Sequence, residues 1–157
     1  TLDELKEQVS FSLELRDAIN LAVTMINNIE TIRAELNEII PKLSKNSDRK
    51  KAEELRILAE SIAGFLYDIQ LTGAREDAFR SPMKLYGRIS ALASDIGGFG
   101  ADFKPTNQQR EVYAIFNKRL QNVDAKFKIF MDVEVKKLNI QLKKSELEIR
   151  TNKKLKL

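Results

Sequence analysis

Apolar side chains recur along most of this chain at alternating steps of four and three residues. The first series is Leu15, Ile19, Ala22, Ile26, Ile29, Leu36, Ile40 and Leu43, with Arg33 standing at one position where an apolar residue belongs. The second reads Leu55, Ala59, Ile62, Leu66, Ile69, and the third Tyr86, Ile89, Ala93, Ile96. The fourth is Val112, Phe116, Leu120, Val123, Phe127, Phe130. Such spacing draws one stripe along a helix. A mean step of about 3.5 residues favours shallow crossing angles and a left-handed twist. Burying each large side chain is worth roughly 1.5–3 kcal/mol. The simplest arrangement that buries all four stripes is an all-α, up-and-down four-helix bundle.

Punctuation residues divide the rods. Pro41 cannot continue a helix and stops the first one. The polar run 44–48 connects it to the second, with Ser47 or Asp48 as the expected N-cap. Gly73 is the expected end of helix two, and Ser81-Pro82 the N-cap and first residue of helix three. The Gly-rich run 97–100 ends helix three, and Thr106 with Gln109 forms a capping box for helix four. Residues 1–10 read as a lead-in, 11–138 as the core and 139–157 as a basic tail, frayed or extended from residue 140. All 157 residues form one domain. The connection 72–81 exceeds the roughly 2–8 residues usual in bundles, so it reads as a long ordered loop or a functional one.

Composition narrows the chemistry. There is no Cys and no His. Disulfides, thiolate zinc sites, His-based catalysis and the usual pH switch are therefore excluded. Carboxylates, Lys, Tyr and backbone remain, so a carboxylate site for Mg or Ca is still open. No apolar run reaches the length of a membrane span. The chain begins with Thr and no leader pattern follows, which reads as a cut domain or processed form. The charge is uneven. Residues 1–104 carry 14 basic and 17 acidic side chains, whereas 105–157 carry 13 and 6. The overall +4 therefore belongs to the tail.

Several constellations invite a functional reading. Asp68, Glu76, Asp77, Asp95 and Asp102 are candidates to gather at one bundle end, near Arg75, Arg80 and Arg88. There they would serve either a metal or sugar site or a salt-bridge network. A glycosidase needs two carboxylates about 5–10 Å apart in a cleft. Gly98-Phe99-Gly100 follows a helix and so reads as a cap rather than a phosphate cradle. Arg33 is expected to pair with an acid on a neighbouring helix or to snorkel at the seam edge. The basic tail from Lys136 offers contact with nucleic acid or an anionic surface, or simply a solvated end.

The stretches LTGAREDAFRSPMKLYGRISALASDI and ADFKPTNQQREVY resemble segments from a family of large bacterial β-propeller proteins, as does FSLELRDAINLAVTMINNIETIRAEL. The matching segments lie in the C-terminal helical region of those proteins. The proteins carry sialidase-type or sortilin-like repeats and are usually labelled glycosyl hydrolases. The resemblance covers about residues 10–140 and is most specific at Thr72-Gly73, Ser81-Pro82 and Pro105-Thr106-Asn107-Gln108. It implies a secreted or periplasmic location and a domain placed after a propeller. It carries over no catalytic residue, because the propeller repeats are absent from these 157 residues. The expected function is a non-catalytic helical accessory or interaction domain without a cofactor or metal. Its partner would be the neighbouring propeller or another protein, and an exposed apolar patch would mark the docking face. Arg75, Glu76, Asp77, Phe79, Arg80 and Asp102 are the candidate interaction surface. The alternatives are a carbohydrate-binding, metal-binding or hydrolytic unit using acids near 72–81, and anionic-surface or nucleic-acid binding through the tail.

Overall fold

The computed structural model describes residues 1–70, 81–97, 103–143 and 147–150. Among these the chain is an all-α bundle of four rods with no β-strand. Helix α1 spans Leu2–Ile39, about 57 Å at 1.5 Å per residue. A 3₁₀ turn, Ile40–Lys42, places Pro41 where a helix would otherwise continue. Helix α2 covers Asn46–Leu66, α3 Leu85–Gly97 and α4 Asn107–Ile129. The fourth rod passes from α4 through a π-helical turn, Phe130–Val135, into α5, Lys136–Leu142.

The rods are not laid four abreast. Helix α2 returns along the second half of α1, where Arg33 meets Glu60 and Tyr67 donates to Glu30. Helix α3 then takes up the same direction along the first half, with Gln8 Nε2 donating to the Ile96 carbonyl at 3.0 Å. The fourth rod runs parallel to α1. Arg110 meets Glu7 at one end, and Gln141 donates to Asp48 at the other. Helices α2 and α3 thus stack end to end between the two long rods. The connection between them leaves from mid-length of the bundle, not from its end.

The stripes form the core. Leu15, Ala22, Ile29 and Leu36 of α1 meet Leu55, Ala59, Ile62 and Leu66 of α2, with Ile89 and Ile96 of α3 and Leu120 and Val123 of α4. The five-residue step from Phe130 to Val135, both fully buried, breaks the four-three rhythm. The π turn absorbs the extra residue, so Leu138 and Leu142 stay on the inner side.

Five boundaries differ from the sequence reading. The lead-in 1–10 is helical, because Thr1 and Glu4 form a capping box ahead of Leu2. Helix α2 is capped at Lys45 by backbone alone, since Asp48 is engaged by Gln141 instead. It stops at Leu66, ahead of Gly73. Tyr67 is extended and tied to Glu30, and Asp68 accepts from the Gln70 amide at 2.9 Å, an Asx-type turn that competes with the helix. Helix α3 starts at Leu85 and not at Pro82, because the Ser81 hydroxyl is spent on Asp68. The tail is also partly built in. Helix runs to Leu142, and buried Ile149 exchanges both backbone hydrogen bonds with the Asn139 amide, at 2.8 and 3.0 Å.

Candidate interaction surfaces

Helix α1 is amphipathic twice over. Its inner face carries Phe11, Leu15, Ala18 and Ala22, all buried. On the opposite side Leu2, Leu5, Val9 and Leu13 are 69, 37, 58 and 43% exposed. Steps of three, four and four keep these four side chains on one line. Beyond Leu13 the exposed positions of α1 turn polar except for Ala34, with Arg16, Asn20, Thr24, Asn27 and Glu38 among them. The inner side of the apolar stretch is firmly held. Phe11 meets Tyr113 edge-on at 5.3 Å between ring centroids, and the Arg110 guanidinium stacks over Phe11 at 5.2 Å. The Tyr113 hydroxyl donates to the Glu14 carbonyl at 3.2 Å. Burial, with help from the nearby Glu14 and Asp17 carboxylates, pushes the Tyr113 phenol above its ordinary range. This apolar line on the outer side of so well-anchored a helix is left largely exposed by the bundle's own packing.

The candidate acids divide. Asp68 sits just past α2, held below the ordinary aspartate range first by the Ser81 hydrogen bond and then by the Gln70 amide. Asp95 lies near the far end of α3, where it accepts from Gln109 Nε2 at 2.9 Å. The α3 helix separates them by roughly 15 Å, too far for the paired carboxylates of a glycosidase. Glu76, Asp77 and Asp102 lie outside the described residues, as do Arg75, Phe79, Arg80, Gly73 and the run 98–100. The interaction surface expected at Arg75, Glu76, Asp77, Phe79, Arg80 and Asp102 is therefore not placed by the structure. Among the described residues no group of three or more acids is arranged to hold a metal ion.

Arg33 does pair across helices. Its guanidinium contacts Glu30 at 2.6 Å and Glu60 of α2 at 3.4 Å, and Arg56 completes the set from Glu60 and Glu53 at 2.9 Å each. The hydrogen bond that Arg56 donates to Glu53, ahead of the attraction of both carboxylates, holds Arg56 above its ordinary range. Tyr67 closes the cluster on Glu30. Alternating charges with mutual partners fasten α2 to α1. The Arg33 Nε is buried without a partner, which marks the network as imperfectly satisfied.

Among the described residues no helix is long and apolar enough to cross a membrane. The sequence reading passed over Leu2, Leu5 and Val9 by treating 1–10 as a lead-in, although Thr1-x-x-Glu4 is a capping-box signature that locates the helix start. Compared with protein-family models, curated proteins and solved structures, the chain matches none.

Proposed function

We propose that this chain is a non-catalytic helical accessory domain whose first three turns of α1 dock on a neighbouring domain or another protein. In line with the resemblance of its segments, the neighbour is a β-propeller of a secreted or periplasmic bacterial protein. The observation that carries the reading is the line Leu2, Leu5, Val9 and Leu13 on the outer side of α1. Scattered exposed apolar residues are ordinary, but a contiguous line of them marks an interaction face. The absence of His and the separation of Asp68 from Asp95 favour docking over hydrolysis. A tail partly anchored through Asn139 and Ile149 gives nucleic-acid binding less free basic chain to use.

Limited proteolysis of the native gene product tests the proposal. A Val9→Asp/Leu13→Asp double variant should free the domain from its partner. New cleavage should then appear at the edge of the domain, with the melting temperature of the bundle unchanged. An unchanged cleavage pattern in a folded double variant would refute the docking role.

A further inference from the structure

An open groove of about 470 Å³ lies where α2 gives way to α3, facing the middle of α4. Lys84 and Arg88 reach it from the start of the third rod, and Arg119 and Lys126 from the fourth. No acid lines it. Among the described residues none of these four cations forms a salt bridge, although twelve salt bridges occur elsewhere. The cations are set beside apolar surface: Lys126 Nζ sits 4.5 Å from the centre of the half-exposed Phe65 ring. Arg88 Nε is fixed by the Met83 carbonyl at 2.7 Å, which leaves the rest of the guanidinium available.

Two glycines shape the groove. Gly64 stands inside α2, where Gly costs up to about 1 kcal/mol against Ala. A Cβ there would meet nothing within 4 Å, so the missing side chain is part of the open volume. At Gly87 a Cβ would fall 2.6 Å from Met83 Cγ, so this glycine lets Met83 fold down as the lip.

We propose that this groove binds a small amphiphilic anion, an alkyl or aryl group carrying a phosphate, sulfonate or carboxylate. Its volume lies in the range of small-ligand sites, about 300–1,000 Å³. Phe65 and Met83 would take the apolar body, and Arg88 and Arg119 the anionic head, by charge-assisted hydrogen bonds. The groove is separate from the outer stripe of α1, so the two proposals fail independently.

Octyl phosphate below its micelle concentration, octanol and octyltrimethylammonium serve as probes in NMR titrations of the whole chain. Octyl phosphate should shift the Gly64 amide, the Phe65 ring and the Lys126 side chain, and its affinity should fall as salt rises. The neutral and cationic probes should bind at least tenfold more weakly. Arg88→Gln and Arg119→Gln, both at exposed positions, should each weaken octyl phosphate about tenfold. Gly64→Leu should block the groove, with Gly64→Ala confirming that the helix accepts a side chain there. Phosphatidylcholine vesicles with and without phosphatidylglycerol separate the sources. Retention on the anionic vesicles that depends on Arg88 and Arg119 assigns the head group to lipid, and retention on neither assigns it to a free ligand. The proposal is overturned if the three probes bind equally, if the shifts map to Val9 and Leu13, or if octyl phosphate causes none at millimolar concentration.

Discussion

The two stretches of α1 present the same inner face and opposite outer ones. Inward, Phe11 and Leu15 of the first stretch are as fully buried as Ile29 and Leu36 of the second. Outward, Leu2, Leu5, Val9 and Leu13 give way to Arg16, Asn20, Thr24 and Asn27. The bundle needs only the inner line. Packing therefore explains why both stretches are helical and cannot explain why one keeps oil on its free side. An apolar line that stays largely exposed is what the proposed docking would cover.

The largest test concerns the shared inner face. Leu15→Ala and Ile29→Ala should each cost about 2–5 kcal/mol in chemical denaturation. A much smaller loss at Leu15 would mean that the first stretch is loosely held, and the contrast would then reflect poor packing. Next comes the rod that covers the first stretch. Thr106 accepts from the Gln109 amide and completes a capping box, so Thr106→Ala should cost about 1 kcal/mol, read from the denaturation midpoint.

Smaller still is the outer face itself. A Leu5→Gln/Val9→Gln variant should change stability by no more than about 0.5 kcal/mol per site. The reciprocal Asn20→Leu/Asn27→Leu variant should extend the apolar line and raise binding of a hydrophobic dye. A large loss of stability in the Gln variant would show that the stripe belongs to the fold. The smallest effect lies at the α2–α3 junction, away from both stretches. The Asp68 carboxyl titrates below its ordinary range, so its tie to Ser81 holds above that range and is lost as the pH falls through the lowered value. Ser81→Ala should raise the Asp68 titration midpoint toward the ordinary range in an NMR pH series and leave α1 untouched.

The four rods were legible because long periodic stripes leave little choice of element, and Thr106 with Gln109 marked the fourth start correctly. Boundaries failed where a side chain had a better offer. Ser81 binds Asp68 instead of capping α3, and Asp48 is taken by Gln141 instead of capping α2. These partners are distant in sequence, so no local pattern announces them. The end-to-end stacking of α2 and α3 was hidden for the same reason, since stripes give faces but not neighbours. The spacing Phe130, Val135, Leu138, Leu142 did contain the continuation of the last rod, disguised by a five-residue step that only a π turn reconciles with one face. Of the candidate sites, the stripe lay in plain view at Leu2, Leu5 and Val9. The groove did not, because it forms between the facing ends of α2 and α3 and the middle of α4.

Carbene footprinting of α1, in the native gene product and in the 157-residue chain alone, tests the docking claim most directly. Leu2, Leu5, Val9 and Leu13 should label strongly in the isolated chain and be clearly protected in the native product, with Asn20 and Asn27 labelled alike in both. Equal labelling of the four residues in the two samples would contradict it.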